Sequence, residues 1–136
     1  MNIGIDIDGV LTDLEKAIID FGTKMSVEEK WPIKIDVSKY WEVEALEWTQ
    51  EQADKFWNKY LVEYVVESKP RMFSEEIIEM LKKEENNIYI ITARNEYGMP
   101  PEYYGKMQEL TREWLKNQDI KYDKLIFARD SEKLHQ

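Results

Sequence analysis

The sequence predicts an α/β fold: a parallel, Rossmann-like sheet with a long helical insertion after its first strand. Ile3, Ile5 and Ile7 alternate with small or acidic residues before Gly9, a pattern typical of a short strand that ends in a turn. Residues 88–92 form a nearly unbroken β-branched run, as in a parallel strand buried on both faces. The chain between these strands exceeds what one βαβ crossover needs, so its surplus is predicted to be an insertion.

The remaining elements follow from helix caps and apolar spacing. Asp13 is predicted to cap a helix that Gly22 ends, Thr49 to cap a second helix, and Ser74 to cap a third. Apolar residues at helical intervals predict a fourth helix after the second strand. In chain order the predicted elements are a strand at 3–7 and helices at 14–21, 49–64 and 74–83, then a strand at 88–92, a helix at 107–115 and a strand at 125–127.

The predicted domain organisation is a core with one insertion. Residues 1–13 and 71–136 are expected to form the α/β core, and residues 14–70 a helical cap over the sheet edge. This insertion is rich in aromatic residues spaced at helical intervals, an arrangement more typical of a small hydrophobic core than of a binding surface. Stacking on a nucleobase is the alternative role. The aromatic residues concerned are Trp41, Trp48, Trp57 and Tyr60.

Composition narrows the classes of function. A formal net charge of -9 repels nucleic-acid backbones and anionic membranes, so neither is an expected partner. Cysteine is absent and His135 is the only histidine, which excludes thiol nucleophiles, Ser-His-Asp chemistry and multi-histidine metal sites within this sequence. No apolar stretch is long enough to span a bilayer. A cytoplasmic protein with a small-molecule ligand is expected.

An acidic pair marks the candidate site. Asp6 and Asp8 are two residues apart at the end of the first predicted strand, so their carboxylates are expected to face one site at the carboxyl end of the sheet. A hard cation such as Mg²⁺ would relieve their mutual repulsion. Thr92 ends the second predicted strand and is expected at the same edge. The alternative for Asp6 and Asp8 is a solvated turn without a ligand. The alternative for Thr92 is an ordinary strand residue without a functional role.

Two segments resemble motifs of a known family. Ile-Gly-Ile-Asp-Ile-Asp-Gly-Val-Leu-Thr-Asp at positions 3–13 is similar to the first motif of the haloacid dehalogenase-like (HAD) phosphatase superfamily, and Ile-Ile-Thr-Ala-Arg at 90–94 resembles its second motif. The insertion matches the first cap position of that family. The resemblance is to its nucleotidase-like branch, which is related to 5'(3')-deoxyribonucleotidases.

The resemblance implies a role for each matched residue. Asp6 would attack phosphorus and form an aspartyl-phosphate, while Asp8 would protonate the leaving oxygen and then deprotonate the hydrolytic water. The Asp6 carboxylate and the Asp8 carbonyl would hold Mg²⁺. Thr92 would hydrogen-bond the transferring phosphoryl group, and backbone N–H groups near Gly9 would assist.

Further contacts with substrate are expected from the second and third motifs. Ala93 and Arg94 are expected beside the phosphate, with an ordinary loop salt bridge as the alternative for Arg94. The third-motif lysine is assigned to Lys133, for which a solvated helix lysine is the alternative. Lys124 is the weaker candidate because it precedes its strand.

The fourth motif of the family is expected beyond Lys133, but the sequence given ends at Gln136. The sheet is therefore expected to be truncated at its C-terminal side, with an edge of its central strand exposed unless a second copy of the chain covers it. The predicted function is a Mg²⁺-dependent phosphomonoesterase acting on a small phosphate ester, with a nucleoside monophosphate as the leading substrate. Three alternatives are a sugar-phosphate phosphatase, a catalytically silent phosphate- or metal-binding protein and a phospho-receiver domain.

Overall fold

Three parallel strands form the sheet, seen in a computed structural model that describes residues 1–39 and 41–128. The strands are β1 (Asn2–Ile5), β2 (Asn87–Thr92) and β3 (Lys124–Phe127), in the spatial order β1-β2-β3. In the register, Ile90 of β2 lies between Ile5 and Leu125. The predicted parallel α/β architecture is confirmed, and β1 lies at an edge of the described sheet.

Five α-helices occur among the described residues. They are α1 (Leu14–Glu29), α2 (Glu42–Ala45), α3 (Gln50–Glu67), α4 (Ser74–Lys83) and α5 (Met107–Asn117), with a short 3₁₀ helix at Pro101–Tyr103. Within the described ranges, none combines the length and apolar character that crossing a bilayer requires.

Two of the three predicted helix caps are confirmed. The Asp13 carboxylate accepts a hydrogen bond from the Lys16 N–H, and Thr49 forms a reciprocal capping box with Gln52. The cap at Ser74 was predicted wrongly. Phe73 precedes α4 in a left-handed conformation at φ 70°, and the Ser74 hydroxyl instead donates to the Arg71 carbonyl.

Gly22 was predicted to end the first helix, and this was wrong. It lies inside α1, which continues to Glu29 and ends at Lys30 in a left-handed conformation. A Cβ at Gly22 would stand 2.4 Å from Leu46 Cδ1 and 3.3 Å from the Trp48 ring. The glycine therefore serves close packing of α1 against the segment around α2, rather than helix termination.

Two hydrophobic clusters organise the chain. One cluster fills the sheet core, where Ile88 and Ile90 are fully buried against Trp114 and Leu115 of α5. The other lies among the helices that follow β1, and Phe56 of α3 is at its centre. Trp48 and Tyr60 belong to this second cluster and are 5% and 3% exposed, so the predicted core role is confirmed for these two aromatic residues.

The segment that carries α1 to α3 leaves the sheet region and rejoins it at neighbouring points. Thr12 and Pro70 form an isolated antiparallel bridge, and the Arg71 N–H donates to the Leu11 carbonyl at 2.6 Å. Helices α1 to α3 lie between these two crossings. The indole N–H of Trp114 on α5 donates to the Ser68 carbonyl at 2.7 Å, which ties the end of α3 to a helix of the sheet core.

Candidate active site

The loop from Asp6 to Thr12, here called the acid loop, directly follows β1. Asp8 (φ −71°, ψ 120°) and Gly9 (φ 87°, ψ −12°) have the angles of a type II turn, which favours glycine at its third position. The Thr12 N–H donates to the Ile7 carbonyl at 3.0 Å and closes the loop. Ile7 is fully buried between the two acidic residues. Asp6 and Asp8 both follow the end of β1 at Ile5, so the strand predicted at 3–7 ends two residues earlier than expected and the acidic pair belongs to the loop.

Both carboxylates line a cavity of about 430 Å³ at the carboxyl ends of β1 and β2. Its volume lies in the range of small-molecule binding sites. Its lining includes a stripe of α3 with Trp57, Leu61 and Tyr64, and Ala93 and Arg94 from the loop after β2. The remaining lining residues are Leu14, Trp41, Glu42, Gln50, Asp54, Val65, Asn95, Tyr97 and Met107.

Asp8 lies at the centre of a hydrogen-bond network. Arg94 binds both of its carboxylate oxygens, through Nη2 to Oδ1 at 2.7 Å and Nε to Oδ2 at 3.1 Å. The Tyr64 hydroxyl donates to the same Oδ1 at 2.7 Å and lies 2.7 Å from Thr12 Oγ1. An ionised carboxylate only accepts, so Tyr64 gives its single proton to Asp8 and the Thr12 hydroxyl donates to Tyr64.

Burial and further contacts fix the two side chains that donate to Asp8. The Arg94 side chain is only 4% exposed, its Nη1 donates to Thr111 Oγ1 at 3.1 Å, and its guanidinium lies 5.9 Å from the Tyr64 ring centre. Burial alone would lower the pKa of Arg94, but hydrogen bonds and the charge of Asp8 outweigh it, and the pKa is raised. Burial and the charge of Asp8 also raise the pKa of the Tyr64 phenol well above its ordinary value. Both groups therefore remain donors at neutral pH.

The other predicted site residues are placed as follows. The Asp6 Oδ1 accepts from the Ile7 N–H at 2.7 Å. The Gly9 N–H donates to Thr12 Oγ1 at 3.4 Å, and its carbonyl accepts from Arg71. Gly9 thus shapes the acid loop through its conformation.

Thr92 is fully buried at the end of β2, and its Oγ1 accepts from the Arg94 N–H at 3.2 Å. It orders the loop that carries Ala93 and Arg94, beneath the cavity. Lys124 begins β3 and lies at the opposite end of the sheet. Lys133 lies outside the described residues.

Three residues of the network were not predicted as site residues: Tyr64, Thr111 and Thr12, the last of which was quoted only as part of the first motif. Tyr64 stood in the aromatic stretch assigned to a hydrophobic core, and Thr111 lay within a helix of plain amphipathic pattern. A tyrosine facing the core at helical spacing gives no sign that its hydroxyl reaches the acid loop. The aromatic set divides in the structure: Trp41 and Trp57 line the cavity, whereas Trp48 and Tyr60 do not.

The charge of the cavity wall is unbalanced. Among its described lining residues, Asp6, Asp8, Glu42 and Asp54 are acidic and Arg94 is basic. No group of three acidic or histidine side chains close enough to hold a metal occurs in residues 1–39 and 41–128. The oxygen donors at Asp6 and Asp8 nevertheless fit Mg²⁺, which commonly binds through one or two carboxylates together with water and substrate phosphate.

Comparison with known proteins gives one informative similarity. A protein of Clostridium acetobutylicum named as a nucleotidase is 30% identical over 128 residues, which are 93% of this chain and 59% of that protein. The chain therefore spans about three fifths of the length of this relative. No protein-family model and no solved structure matches the chain.

Proposed function

We propose that this protein is a Mg²⁺-dependent phosphomonoesterase of the HAD type whose nucleophile is Asp6 and whose preferred substrates are nucleoside monophosphates. One observation carries the proposal: Asp6 and Asp8 line a single cavity together with Ala93 and Arg94, at the carboxyl ends of neighbouring parallel strands. This is the edge at which open α/β sheets bind ligands. The similarity to a protein named as a nucleotidase supports the same class of reaction.

The two acidic residues would divide the chemistry. Asp8, which the structure shows as an acceptor, would first take up a proton from solvent. An Asp6 carboxylate oxygen then attacks phosphorus, the bond from phosphorus to the ester oxygen breaks, and Asp8 gives that proton to the departing oxygen. Water then attacks the aspartyl-phosphate and passes a proton to Asp8, which releases inorganic phosphate and restores Asp6. The two steps return Asp6 to its free carboxylate and Asp8 to its protonated form.

The phosphate needs positive charge in this acidic cavity. The Asp6 carboxylate and the Asp8 carbonyl would hold Mg²⁺, which would neutralise charge on the phosphoryl oxygens. Arg94 is the basic group nearest to Asp8 and is already bound to it. We therefore assign Arg94 first to orienting Asp8, with the phosphate as its second partner. Thr92 Oγ1 accepts from the Arg94 N–H and keeps its own O–H as a donor, which would hydrogen-bond the phosphoryl group.

The shape of the cavity supports a leaving group of nucleoside size. Tyr64 contacts Asp8, and Trp57 lies seven residues earlier on the same face of α3, a rise of roughly 10 Å along the helix axis. A base would meet the Trp57 indole and the exposed Trp41 and Tyr97 rings, and aromatic surfaces of this kind suit a flat heterocycle. The role of residues 14–70 as a substrate cap is part of this proposal.

The test is hydrolysis of p-nitrophenyl phosphate and of a panel of nucleoside monophosphates and sugar phosphates, with and without Mg²⁺. Asp6→Asn is expected to abolish turnover, because the amide is a poor nucleophile. Asp20→Asn is the matched control, since Asp20 pairs with Lys16 on the exposed surface of α1. Acid-quenched protein should carry labelled phosphate in the wild type and none in Asp6→Asn.

Two results would contradict the proposal. Turnover that survives Asp6→Asn would exclude Asp6 as the nucleophile. Thermal stabilisation by Mg²⁺ and inorganic phosphate without turnover of any ester would indicate a silent binding protein. A preference for sugar phosphates over nucleoside monophosphates would retain the reaction and replace the substrate class.

A further inference from the structure

The Tyr64 hydroxyl joins the helices after β1 to the acid loop. Tyr64 is on α3 and is 3% exposed, and its oxygen lies 2.7 Å from both Asp8 Oδ1 and Thr12 Oγ1. Thr12 Oγ1 in turn accepts from the Gly9 N–H. A single phenol therefore contacts the acidic residue and the residue that closes its loop.

The contact constrains the direction in which Asp8 presents its oxygens. Arg94 approaches from the β2 side and binds both oxygens, whereas Tyr64 approaches from α3 and binds Oδ1 alone. Removal of the phenol would take away the donor on the α3 side and loosen the orientation of the carboxylate. An oxygen that must exchange a proton with a substrate has to lie within about 3 Å of it, so this loosening matters for chemistry.

We propose that Tyr64 is a positioning residue: it holds Asp8 in the orientation from which Asp8 transfers its proton to the leaving group. The inference rests on the proposed function, in which Asp8 is the acid and base. It assigns to α3 a part in the reaction itself, in addition to forming a wall of the cavity. The Tyr64 phenol gains and loses no proton in this role.

The test compares Tyr64→Phe with Tyr60→Phe. Both residues are on α3, both are 3% exposed, and both hydroxyls donate to a carboxylate, but Tyr60 bonds Glu28 away from the cavity. Turnover is measured with a nucleoside monophosphate, whose alkoxide leaving group needs a proton, and with p-nitrophenyl phosphate, whose phenolate does not. Well-placed general acids contribute about 100-fold or more.

For Tyr64→Phe we expect kcat on the nucleotide to fall roughly 10- to 100-fold, a part of the general-acid contribution. KM should change little, and kcat on p-nitrophenyl phosphate should fall about 3-fold or less, since that leaving group is insensitive to the acid. Tyr60→Phe should change neither. A second variant, Thr12→Val, removes the partner that orients the phenol and should give a smaller loss with the same dependence on leaving group.

Equal losses on the two substrates, or a Tyr64→Phe that behaves like Tyr60→Phe, would overturn the inference while the proposed function stands. A wild-type chain without turnover on either ester would overturn both. Should Tyr64→Phe fail to fold, the leaving-group dependence of Thr12→Val decides the inference alone.

Discussion

Replacement of Arg94 by methionine tests whether the Asp8–Arg94 pair is an integral part of the fold. Methionine keeps an unbranched apolar stem, is shorter because it lacks the guanidinium, and loses the donors that bind Asp8 and Thr111. Asp8 would then remain in a largely enclosed position, where the Tyr64 hydroxyl still donates to it. We expect the free energy of unfolding to fall.

The magnitude follows from the exposure of the two partners. Removal of one member of a fully buried pair costs about 3–5 kcal/mol. The Asp8 side chain is 27% exposed, so water stabilises part of its charge, and we expect roughly 2–3 kcal/mol for Arg94→Met. Arg94→Met combined with Asp8→Asn removes both charges and should restore part of this loss.

Urea unfolding of the single and double variants measures the effect, with Lys16→Met as the control. Lys16 pairs with Asp20 at a surface where both side chains are more than half exposed, and such pairs contribute about 0–1 kcal/mol. An Arg94→Met loss no larger than that of Lys16→Met would refute the reasoning. So would a double variant whose loss equals the sum of the two single losses, because the pair would then have no coupling energy.

Three further predictions concern packing, pH and selectivity. Gly22→Ala should destabilise the wild type by about 1–2 kcal/mol, because overpacking against Leu46 outweighs the gain in helix propensity. In a Leu46→Ala background the same change should become stabilising. Urea unfolding measures both effects. Asp123 accepts from the Ile88 N–H and pairs with Lys82, which holds its pKa below the ordinary 3.8. The contribution of ionised Asp123 to the free energy of unfolding is therefore present above about pH 4 and lost as the pH falls through the lowered pKa. The difference in stability between wild type and Asp123→Asn should narrow accordingly in acid-unfolding curves. Trp57→Leu should raise KM for nucleoside monophosphates several-fold more than KM for p-nitrophenyl phosphate, and equal effects would contradict a base-binding role.

The sheet could be predicted from the sequence because its signals are local. The β-branched run in β2 and the isoleucines of β1 are each sufficient to indicate a strand, and parallel pairing follows from the helices between them. The role of Gly22 was predicted wrongly because a glycine in a helical segment can have either of two structural roles. It can end the helix or admit a neighbouring side chain, and the choice depends on Leu46, which approaches from more than 20 residues away in sequence.

The candidate site was likewise predictable from the sequence only in part. Asp6 and Asp8 were predicted to share one site from their spacing after a strand. They do line one cavity, although β1 ends at Ile5 and Asp8 lies in the turn that follows. The partners of Asp8 could not be predicted, since Arg94 and Tyr64 come from 86 and 56 residues further along the chain. For Arg94 the expectation was a phosphate contact, with an ordinary loop salt bridge as the alternative. The structure shows an ion pair with Asp8, and the phosphate contact stays a prediction.

In the proposed function, the single helix α3 carries both the residue that would select the substrate and the residue that would orient the acid. Trp57 and Tyr64 are two turns apart on α3, with the indole in the cavity and the phenol on Asp8. A leaving group that packs on Trp57 would favour the position of α3 from which Tyr64 holds Asp8, so binding energy from a remote part of the substrate would be expressed in the transition state. A nucleoside monophosphate can use this coupling and p-nitrophenyl phosphate cannot. If the proposed function holds, this coupling would make turnover of nucleotides faster than that of a small aryl ester, despite the poorer leaving group.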